Sequence, residues 1–314
     1  MYKRKIQLIA GSTYTVSLPK EWVKKNRLKE KNEVSLYEKN DRTLIISPRS
    51  LEKSKMNNIS LDIDRYADID QMLFAVYQLG IEDILLFSKK EITKDVRSRI
   101  RKVLAHMSSS EISYEDSQKI EIKVLLDKSK VNVAQILYRM GLVAGLSLEN
   151  ISAGAEIDEV RTNEDEMDRL YHLMTKIISV SLIDPDVLES SGIKNVSLIP
   201  LYFLVSKKIE NIEDNALDLS EHLQANVISE DDKKVLGFIK KELERSITTV
   251  THKPEKIFEM ATKDNLRAVC SLISKFGDKI VASYLREMVK YVVDIEEEVA
   301  ALSFYEELIA RNVI

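Results

Sequence analysis

A change of hydrophobic spacing near residue 129 constrains the fold of this chain more than any other feature. From there to residue 314, apolar residues recur every three to four positions, glycine is scarce and no strand-like alternation persists. This spacing predicts amphipathic helices, and we expect six, at about 130–153, 156–182, 198–225, 231–250, 255–276 and 279–312. Helices of these lengths suggest an all-α domain of two three-helix bundles, end to end or packed against each other.

The first fifty residues follow a different pattern. Apolar and polar residues alternate in four short stretches, which predict strands at 4–8, 14–18, 34–37 and 43–47. Between the second and third strands, Pro19 suits the first position of a short helix, and Asn26 suits a left-handed residue at its end. The last two strands flank the polar turn EKNDR. Because so short a unit has few residues for a stable core, we expect two copies to dimerise by exchanging strands.

A smaller region between these parts shows both kinds of spacing. A polar linker, Pro48–Asn58, precedes it. Strand-like stretches and helical stretches then follow in the order strand 59–63, helix 69–79, strand 83–87, helix 96–107 and strand 119–126. This is the pattern of a small α/β linking module. The predicted domains are therefore 1–50, 56–127 and 129–314.

Charge is distributed unevenly along the chain. The net charge is −4, but residues 1–50 carry 12 Lys and Arg against five Asp and Glu, a net +7 that leaves −11 for the remainder. Such asymmetry indicates a nucleic-acid-binding end joined to an acidic body. Small β domains also often carry surplus lysines, so charge alone leaves both interpretations open.

Several protein classes are disfavoured by the sequence. No apolar run approaches the roughly 18 residues of a membrane span, and the apolar stretch Ile6–Ala10 is too short for a signal peptide. A single cysteine, Cys270, rules out an internal disulfide framework. We therefore expect a cytoplasmic protein that is not integral to a membrane.

The residues needed for catalysis are also scarce. The eight glycines are scattered singly, so no phosphate-binding glycine loop is present. The four histidines are far apart, and His106 and His252 have the settings of surface or boundary residues. Cys270 lies between Val269 and Leu272 on a predicted helix, which favours a core position over a nucleophile. With no nucleophile–base pair in sight, we expect no enzyme.

Two of the predicted helices carry acidic residues at helical spacing. On the first, Glu164, Asp168 and His172 stand four residues apart and so share one face. The second repeats the spacing with Glu210, Asp214, Asp218 and His222. Because the apolar residues of that helix lie on roughly the opposite side, the carboxylates are expected to point outward. Solvation alone would account for such a face.

A metal site is the alternative explanation of these acidic faces. If the two helices lie side by side, their oxygen ligands suit a divalent or ferric ion, with Fe, Zn, Ni and Mg all open. The Glu-x-x-His pattern of buried di-iron bundles is absent, which favours a surface cluster. The candidate metal ligands are Glu164, Asp168, Glu210, Asp214 and Asp218. The last helix has Lys290 where the first carboxylate would stand, so no second full site is expected there.

The N-terminal segment carries a resemblance to a known family. The run VSLPKE at 16–21, the short helix after it, LKEKNEVSLY at 28–37 and TLIISP at 43–48 together resemble the AbrB/SpoVT family of swapped-hairpin DNA-binding domains. Lys31 and Asn32 depart from the glycine and acid usual in that family. The resemblance covers about the first fifty residues. It implies a dimer of interleaved hairpins that presents a basic face to DNA.

The helical segment carries a second resemblance. The stretches EDEMDRLYHL at 164–173 and ENIEDNALDLSEHL at 210–223 resemble the signatures of PhoU, closely in the first bundle and in degenerate form in the second. The order of the three parts resembles that of archaeal phosphate-uptake regulators. This resemblance implies metal clusters on outward carboxylates and a role in phosphate uptake and its gene expression.

Residues and resemblances together predict a DNA-binding transcription regulator of phosphate uptake, homodimeric through its N-terminal domain. Most contacts would neutralise phosphates, and the candidate DNA-binding residues are Arg4, Lys5, Lys20, Lys24, Lys25 and Arg27. Phosphate-transporter or phosphate-signalling components are further expected partners of the PhoU-like part. Two alternatives stay open: a signalling adaptor that contacts a phosphate transporter without binding DNA, and an antitoxin, against which the long helical body argues.

Overall fold

The computed structural model of the chain describes residues 3–9, 11–39, 43–48, 57–224, 228–252, 258–261 and 263–311. The chain divides into two compact units, Met1–Lys55 and Met56–Ile314. Most of the predicted linker at 48–58 and the centre of the predicted EKNDR turn lie outside the described residues.

The first unit consists of two antiparallel strand pairs and one short helix. β1 (Gln7–Ile9) pairs with β2 (Thr13–Thr15), and β3 (Ser35–Lys39) pairs with β4 (Thr43–Ser47). The helix, α1 (Lys20–Lys25), joins the two pairs. The observed order is that predicted from the alternating pattern, although the first two strands are shorter than expected.

Both ends of α1 differ by one residue from the sequence prediction. Pro19 has an extended conformation (φ −63°, ψ 128°) and caps the helix instead of occupying its first position. Asn26 has φ −89°, and the left-handed residue is Arg27 with φ 54°. The Asn26 side chain donates a hydrogen bond to the Trp22 carbonyl at 2.8 Å. Because this bond holds Asn26 in the last helical turn, the left-handed conformation falls on Arg27, one residue later.

The described residues of the first unit form no core of their own. Among those whose exposure is described, none is buried, and Trp22 and Val23 are only half-buried. Large apolar side chains on both strand pairs are more than half exposed, including Leu8, Tyr14 and Leu36.

The second unit begins with an α/β module. Its elements, in chain order, are β5 (Asn58–Asp62), α2 (Ile69–Gln78), β6 (Asp83–Phe87), α3 (Lys94–Ala105), β7 (Ser110–Glu115) and β8 (Lys119–Val124). They form a four-stranded sheet of order β5-β6-β8-β7, in which only β5 and β6 are parallel. β7 is the one element of the module that the sequence pattern does not predict.

Local sequence explains the two helices of the module. The Asp68 side chain accepts hydrogen bonds from the first backbone amides of α2, and the Thr93 hydroxyl accepts one at the start of α3. Alternate strand residues such as Ile84 and Ile122 are buried, in one apolar cluster with Leu73 of α2 and Ile100 of α3. The helices therefore cover one face of the sheet and leave the other face open.

The rest of the second unit is helical. Its helices are α4 (Val133–Ala153), α5 (Ile157–Ser181), α6 (Pro185–Ser190), α7 (Ile199–Leu223), α8 (Glu230–His252), α9 (Lys263–Ile273) and α10 (Lys279–Ala310). Short 3-10 turns occur at Ile63–Arg65, Lys128–Lys130 and Val196–Leu198. The structure adds α6 to the six predicted helices. It also starts the fifth later than the expected 255, because residues 258–261 are not helical.

One apolar core runs through the helical region. α4, α5 and α7 pack against one another, while α10 packs along α7 and α8 lies against α4 and α10. Buried residues from all seven described helices join a single cluster. The described part of the chain contains no helix that is long and apolar enough to cross a membrane.

Candidate nucleic-acid interface and carboxylate cluster

The predicted DNA-contact residues are all exposed in the first unit. Arg4 and Lys5 precede β1, while Lys20, Lys24 and Lys25 lie on α1. Lys20 and Lys24 are four residues apart and so share one face of the helix. Arg27 follows the helix end in its left-handed conformation.

The amino-acid sequence places these cations at a defined position of the fold. Lys24 and Lys25 occupy the last turn of α1, where positive charge interacts favourably with the helix dipole. Glu21 occupies the first turn, at the opposite end. The helix therefore presents a basic C-terminal end, which suits contact with a phosphate backbone.

The acidic residues of the second unit converge where α5 packs against α7. Charges on Asp168, Asp214 and Glu210 all act on Glu164, and burial with this repulsion raises the pKa of Glu164 to about 7. Asp218, one turn further along α7, acts on Asp214. The two helices that carry the acidic residues, α5 and α7, therefore lie side by side, an arrangement that the residue spacing allowed but did not require.

The expectation that these carboxylates all point outward is wrong. Glu210 is only 7% exposed, and Glu164 and Asp168 are half-buried, whereas Asp214 and Asp218 are exposed. Glu210 lies on α7 where that helix packs against α5, and the α/β module packs on α5 through α2. His106, which follows α3 of the module, thereby comes close to Asp168. Burial consequently raises the pKa of Asp168 and of Glu210 above their ordinary values.

A lysine partly neutralises the cluster. Lys207 Nζ donates to Glu210 Oε1 at 2.6 Å and also to Oε2, and it lies 5.0 Å from the centre of the Tyr171 ring. Carboxylate oxygens suit divalent cations, but in the described part of the chain no three His, Cys, Asp or Glu side chains are placed to hold a metal ion. Metal binding by the five candidate ligands stays a prediction.

The two histidines of the acidic stripes have other partners. His172 stacks on Phe74 of α2 and lies 2.8 Å, Nδ1 to Nε2, from Gln78. Burial lowers the pKa of His172 to about 4, so the ring is neutral and its Nδ1 accepts from the Gln78 amide. At the far end of the second stripe, His222 Nε2 lies 2.8 Å from Asp278. Neither histidine extends the carboxylate cluster.

His106 borders the cluster, which the sequence did not predict. Its Nε2 lies 3.8 Å from Asp165 Oδ1, and its Nδ1 lies 4.0 Å from Asp168 Oδ2. His106 caps the C-terminus of α3, about sixty positions before these acids. Such a long-range contact leaves no local signal in the sequence.

Glu213 was also missed at the level of sequence, although its position gave a signal. Glu213 comes directly after Ile212 and stands three residues before Ala216, so it lies on the apolar side of α7. The side chain is fully buried, and its Oε1 accepts from Ser147 of α4 at 2.5 Å. Burial raises the pKa of Glu213 to about 8, which keeps this carboxyl largely protonated at neutral pH.

Two further expectations concern the second half of the helical region. In α10, Asp294 Oδ2 pairs with Lys208 Nζ at 2.5 Å and so links α10 to α7. The predicted core position of Cys270 is wrong, because the residue is exposed. On α9, Leu266, Val269 and Leu272 pack against the core instead, and Cys270 lies outside that stripe.

Comparison with known families bears on the first unit. Residues 7–54 match the family model of antidote-toxin recognition MazE, a bacterial antitoxin. No curated protein and no solved structure matches the chain. The match supports an AbrB-like N-terminal domain, since swapped-hairpin domains also occur in antitoxins, and it does not extend to the helical region.

Proposed function

We propose that this chain is a homodimeric DNA-binding transcription regulator of phosphate uptake, in which the helical region acts as a PhoU-like sensory domain. The observation that carries the DNA-binding part is the family match over residues 7–54. Within that span, α1 presents exposed cations at Lys20, Lys24 and Lys25.

The exposed apolar surface of the first unit supports the dimer. Leu8, Tyr14, Leu36 and Leu44 are each between 55% and 73% exposed, and none of the residues with described exposure in that unit is buried. Interleaving two copies would cover these side chains. Burying apolar surface contributes about 25 cal/mol per Å², so a second copy supplies the stabilisation that a unit of this size lacks.

The sensory part of the proposal rests on the resemblance of 164–173 and 210–223 to PhoU signatures. In its support, these two stretches lie on helices that pack together, and they place four other carboxylates within electrostatic range of Glu164. Metal binding is a separable proposal, because it requires the side chains, Lys207 included, to rearrange. Elemental analysis of the protein after reconstitution with Fe, Zn, Ni or Mg tests metal binding. If the protein retains none of the four metals, the metal proposal is refuted.

DNA binding is tested by measuring affinity as a function of salt concentration. The quadruple variant K20A/K24A/K25A/R27A should bind DNA more weakly. Its log K should also fall less steeply with log salt, by about 0.9 for each phosphate that the variant no longer neutralises. The matched control is K89A/K90A/K94A/K102A, which removes four exposed lysines from the α/β module. Unchanged affinity in the first variant would refute the assignment of these residues to the DNA interface.

The phosphate connection requires its own measurement. DNA affinity of the full chain should change on addition of inorganic phosphate or of a reconstituted metal, and the variant D168N/D214N should lose that response while retaining basal DNA affinity. A response that is absent in the native chain would contradict the sensory role and leave DNA binding unaffected. Absence of any salt-dependent DNA binding would instead favour the signalling adaptor.

An antitoxin is the second candidate function, because the matched family is described as one. The large body argues against it, since the described residues from 57 to 311 are mostly helix and strand, whereas antitoxins usually carry short tails. Co-purification of a stoichiometric toxin with the native chain would favour the antitoxin over the regulator.

A further inference from the structure

The open face of the α/β sheet is a surface that the proposed function does not use. It carries alternate residues of the four strands, opposite the face that α2 and α3 cover. A groove of about 230 Å³ crosses it, between Ser60, Leu85 and Glu121 among others. Leu85 in the groove and Phe87 at the end of the same strand are half-buried, and the residues around them are largely exposed and polar.

The charges on this face are arranged in alternation. The sheet register places Lys123 between Asp83 and Glu111 on the neighbouring strands. One row further along β8, Glu121 lies opposite Leu85. Lys119 lies on the same strand, two residues before Glu121. The face therefore mixes cations and anions at close spacing.

In the described part of the chain, these charged groups make no ion pairs with one another. None of the five (Asp83, Glu111, Lys119, Glu121 and Lys123) has a salt bridge within 4.0 Å to any described residue. Charges elsewhere in the module are paired, as in Arg97–Glu115, Arg99–Asp70 and Lys128–Glu82. Such a face can be complementary to a copy of itself, because a two-fold axis midway between the rows of Lys123 and Glu121 sets Lys123 of one copy against the partner's Glu121.

The position of the face in the chain indicates which partner can reach it. β5 begins eleven residues after β4 of the first unit ends, and an extended chain spans at most about 3.6 Å per residue. The start of β5 in each chain is therefore tethered within about 40 Å of the end of β4, so two modules joined to one N-terminal dimer stay near each other. This step rests on the proposed N-terminal dimer.

We propose that the open sheet face packs against the same face of a second copy of this chain, within the homodimer. Four strands of five to six residues present about 300 Å², so two faces bury about 600 Å². This area is below the ~1,200 Å² of an independent interface. Attachment to one dimer makes the contact intramolecular and so raises the effective concentration of each face.

The test is cross-linking of single cysteines in the full chain. Cys270 is exposed and is first changed to Ser. In that background, Ser60→Cys places a thiol on the open face, and the control Ser98→Cys places one on exposed α3 of the same module. A short bis-maleimide should link two Ser60→Cys chains at least tenfold faster than two Ser98→Cys chains, at a rate independent of protein concentration.

Charge reversal provides the second arm. Adding Lys123→Glu to Ser60→Cys should slow cross-linking at least fivefold, and adding Glu121→Lys as well should restore it. If the Ser60→Cys and Ser98→Cys chains cross-link at equal rates in a dimer, the face-to-face contact is overturned and the N-terminal dimer is not. A Ser60→Cys rate that is proportional to protein concentration would have the same meaning. A chain that light scattering shows to be monomeric at tens of micromolar would overturn the contact and the N-terminal dimer together.

Discussion

The imidazole of His172 lies flat on the ring of Phe74, with ring centroids 3.9 Å apart and planes inclined by 11°. Phe74 belongs to α2 of the α/β module, and His172 belongs to α5, the helix that carries Glu164 and Asp168. The module and the carboxylate helix are thus joined by a stacked ring pair, in addition to the contact of Gln78 with the same histidine.

Phe74→Leu should release His172 from this stack. The ring would gain access to water, so its pKa should rise from about 4 toward the ordinary 6.5, as followed by NMR titration of the imidazole. Loss of the stacked pair should lower the free energy of unfolding by about 1 kcal/mol. The control is Phe304→Leu, at a half-exposed position of α10. A His172 pKa that stays near 4 in the Phe74 variant would show that other contacts bury the ring.

Gly80 permits the close approach of α2 to α5. Its φ is +86°, and a Cβ at this position would lie 2.5 Å from Val180 Cγ2. Gly80→Ala should therefore destabilise the fold by about 2 kcal/mol or more, from left-handed strain plus the steric clash. Gly154→Ala is matched in conformation, with φ +71° and nothing within 4 Å. Chemical denaturation should show a clearly smaller loss for Gly154→Ala; equal losses would mean that the helices move apart freely.

Lys176 is a buried cation between the module and the helical region. Its Nζ donates to the carbonyls of Tyr77 and Ile81 at 3.2 and 3.3 Å, and burial lowers its pKa to about 8. Between pH 8 and 10.5 the unfolded chain therefore binds more protons at this lysine than the folded chain. By linkage, the contribution of Lys176 to stability rises with pH across that window.

Comparison with Lys176→Met isolates this effect. The free energy of unfolding of the native chain, minus that of the variant, should rise by up to about 2 kcal/mol from pH 7.5 to 9.5. Urea unfolding at the two pH values measures it. A difference that stays flat or falls with pH would show that Lys176 keeps an ordinary pKa in the folded chain.

Arg245 of α8 joins two buried carboxylates. It donates to Glu242 Oε2 at 2.7 Å and to Glu296 of α10, and these glutamates are 4% and 0% exposed. Arg245→Met would leave both carboxylates buried without their cation, at a cost of about 3–5 kcal/mol. The loss should shrink at pH 5, because burial already raises the pKa of Glu296 and protonation would relieve the repulsion.

Arg267→Met supplies the comparison for Arg245. Arg267 and its partner Asp264 are both highly exposed, 3.7 Å apart, and exposed pairs contribute little. Thermal or urea unfolding should therefore separate the two arginine variants clearly at neutral pH. Similar small losses in both would mean that the Arg245 site is open to water.

Local pattern determined most of the secondary structure. The Pro19 junction and the apolar spacing of the long helices depend on residues only a few positions apart, so both could be read directly from the sequence. The missed elements also carry local signals, since Asp184 caps α6 with Pro185 at its first position, and Ile112 and Tyr114 alternate with polar residues in β7. The exposed position of Cys270 was missed because its neighbours on α9, and not the cysteine, supply the apolar face that packs.

The sequence by itself determined which helices carry the acidic stripes and where the basic junction lies, because both depend on helical periodicity and on residue charge. Only the tertiary structure decided that Glu210 is buried, that His106 borders Asp168 and that Glu213 is enclosed beside Ser147. Those facts depend on packing between distant parts of the chain, namely of α2 on α5, of α5 on α7 and of α4 on α7. Desolvation and pKa are properties of that packing, and spacing along one helix carries no information about what covers it.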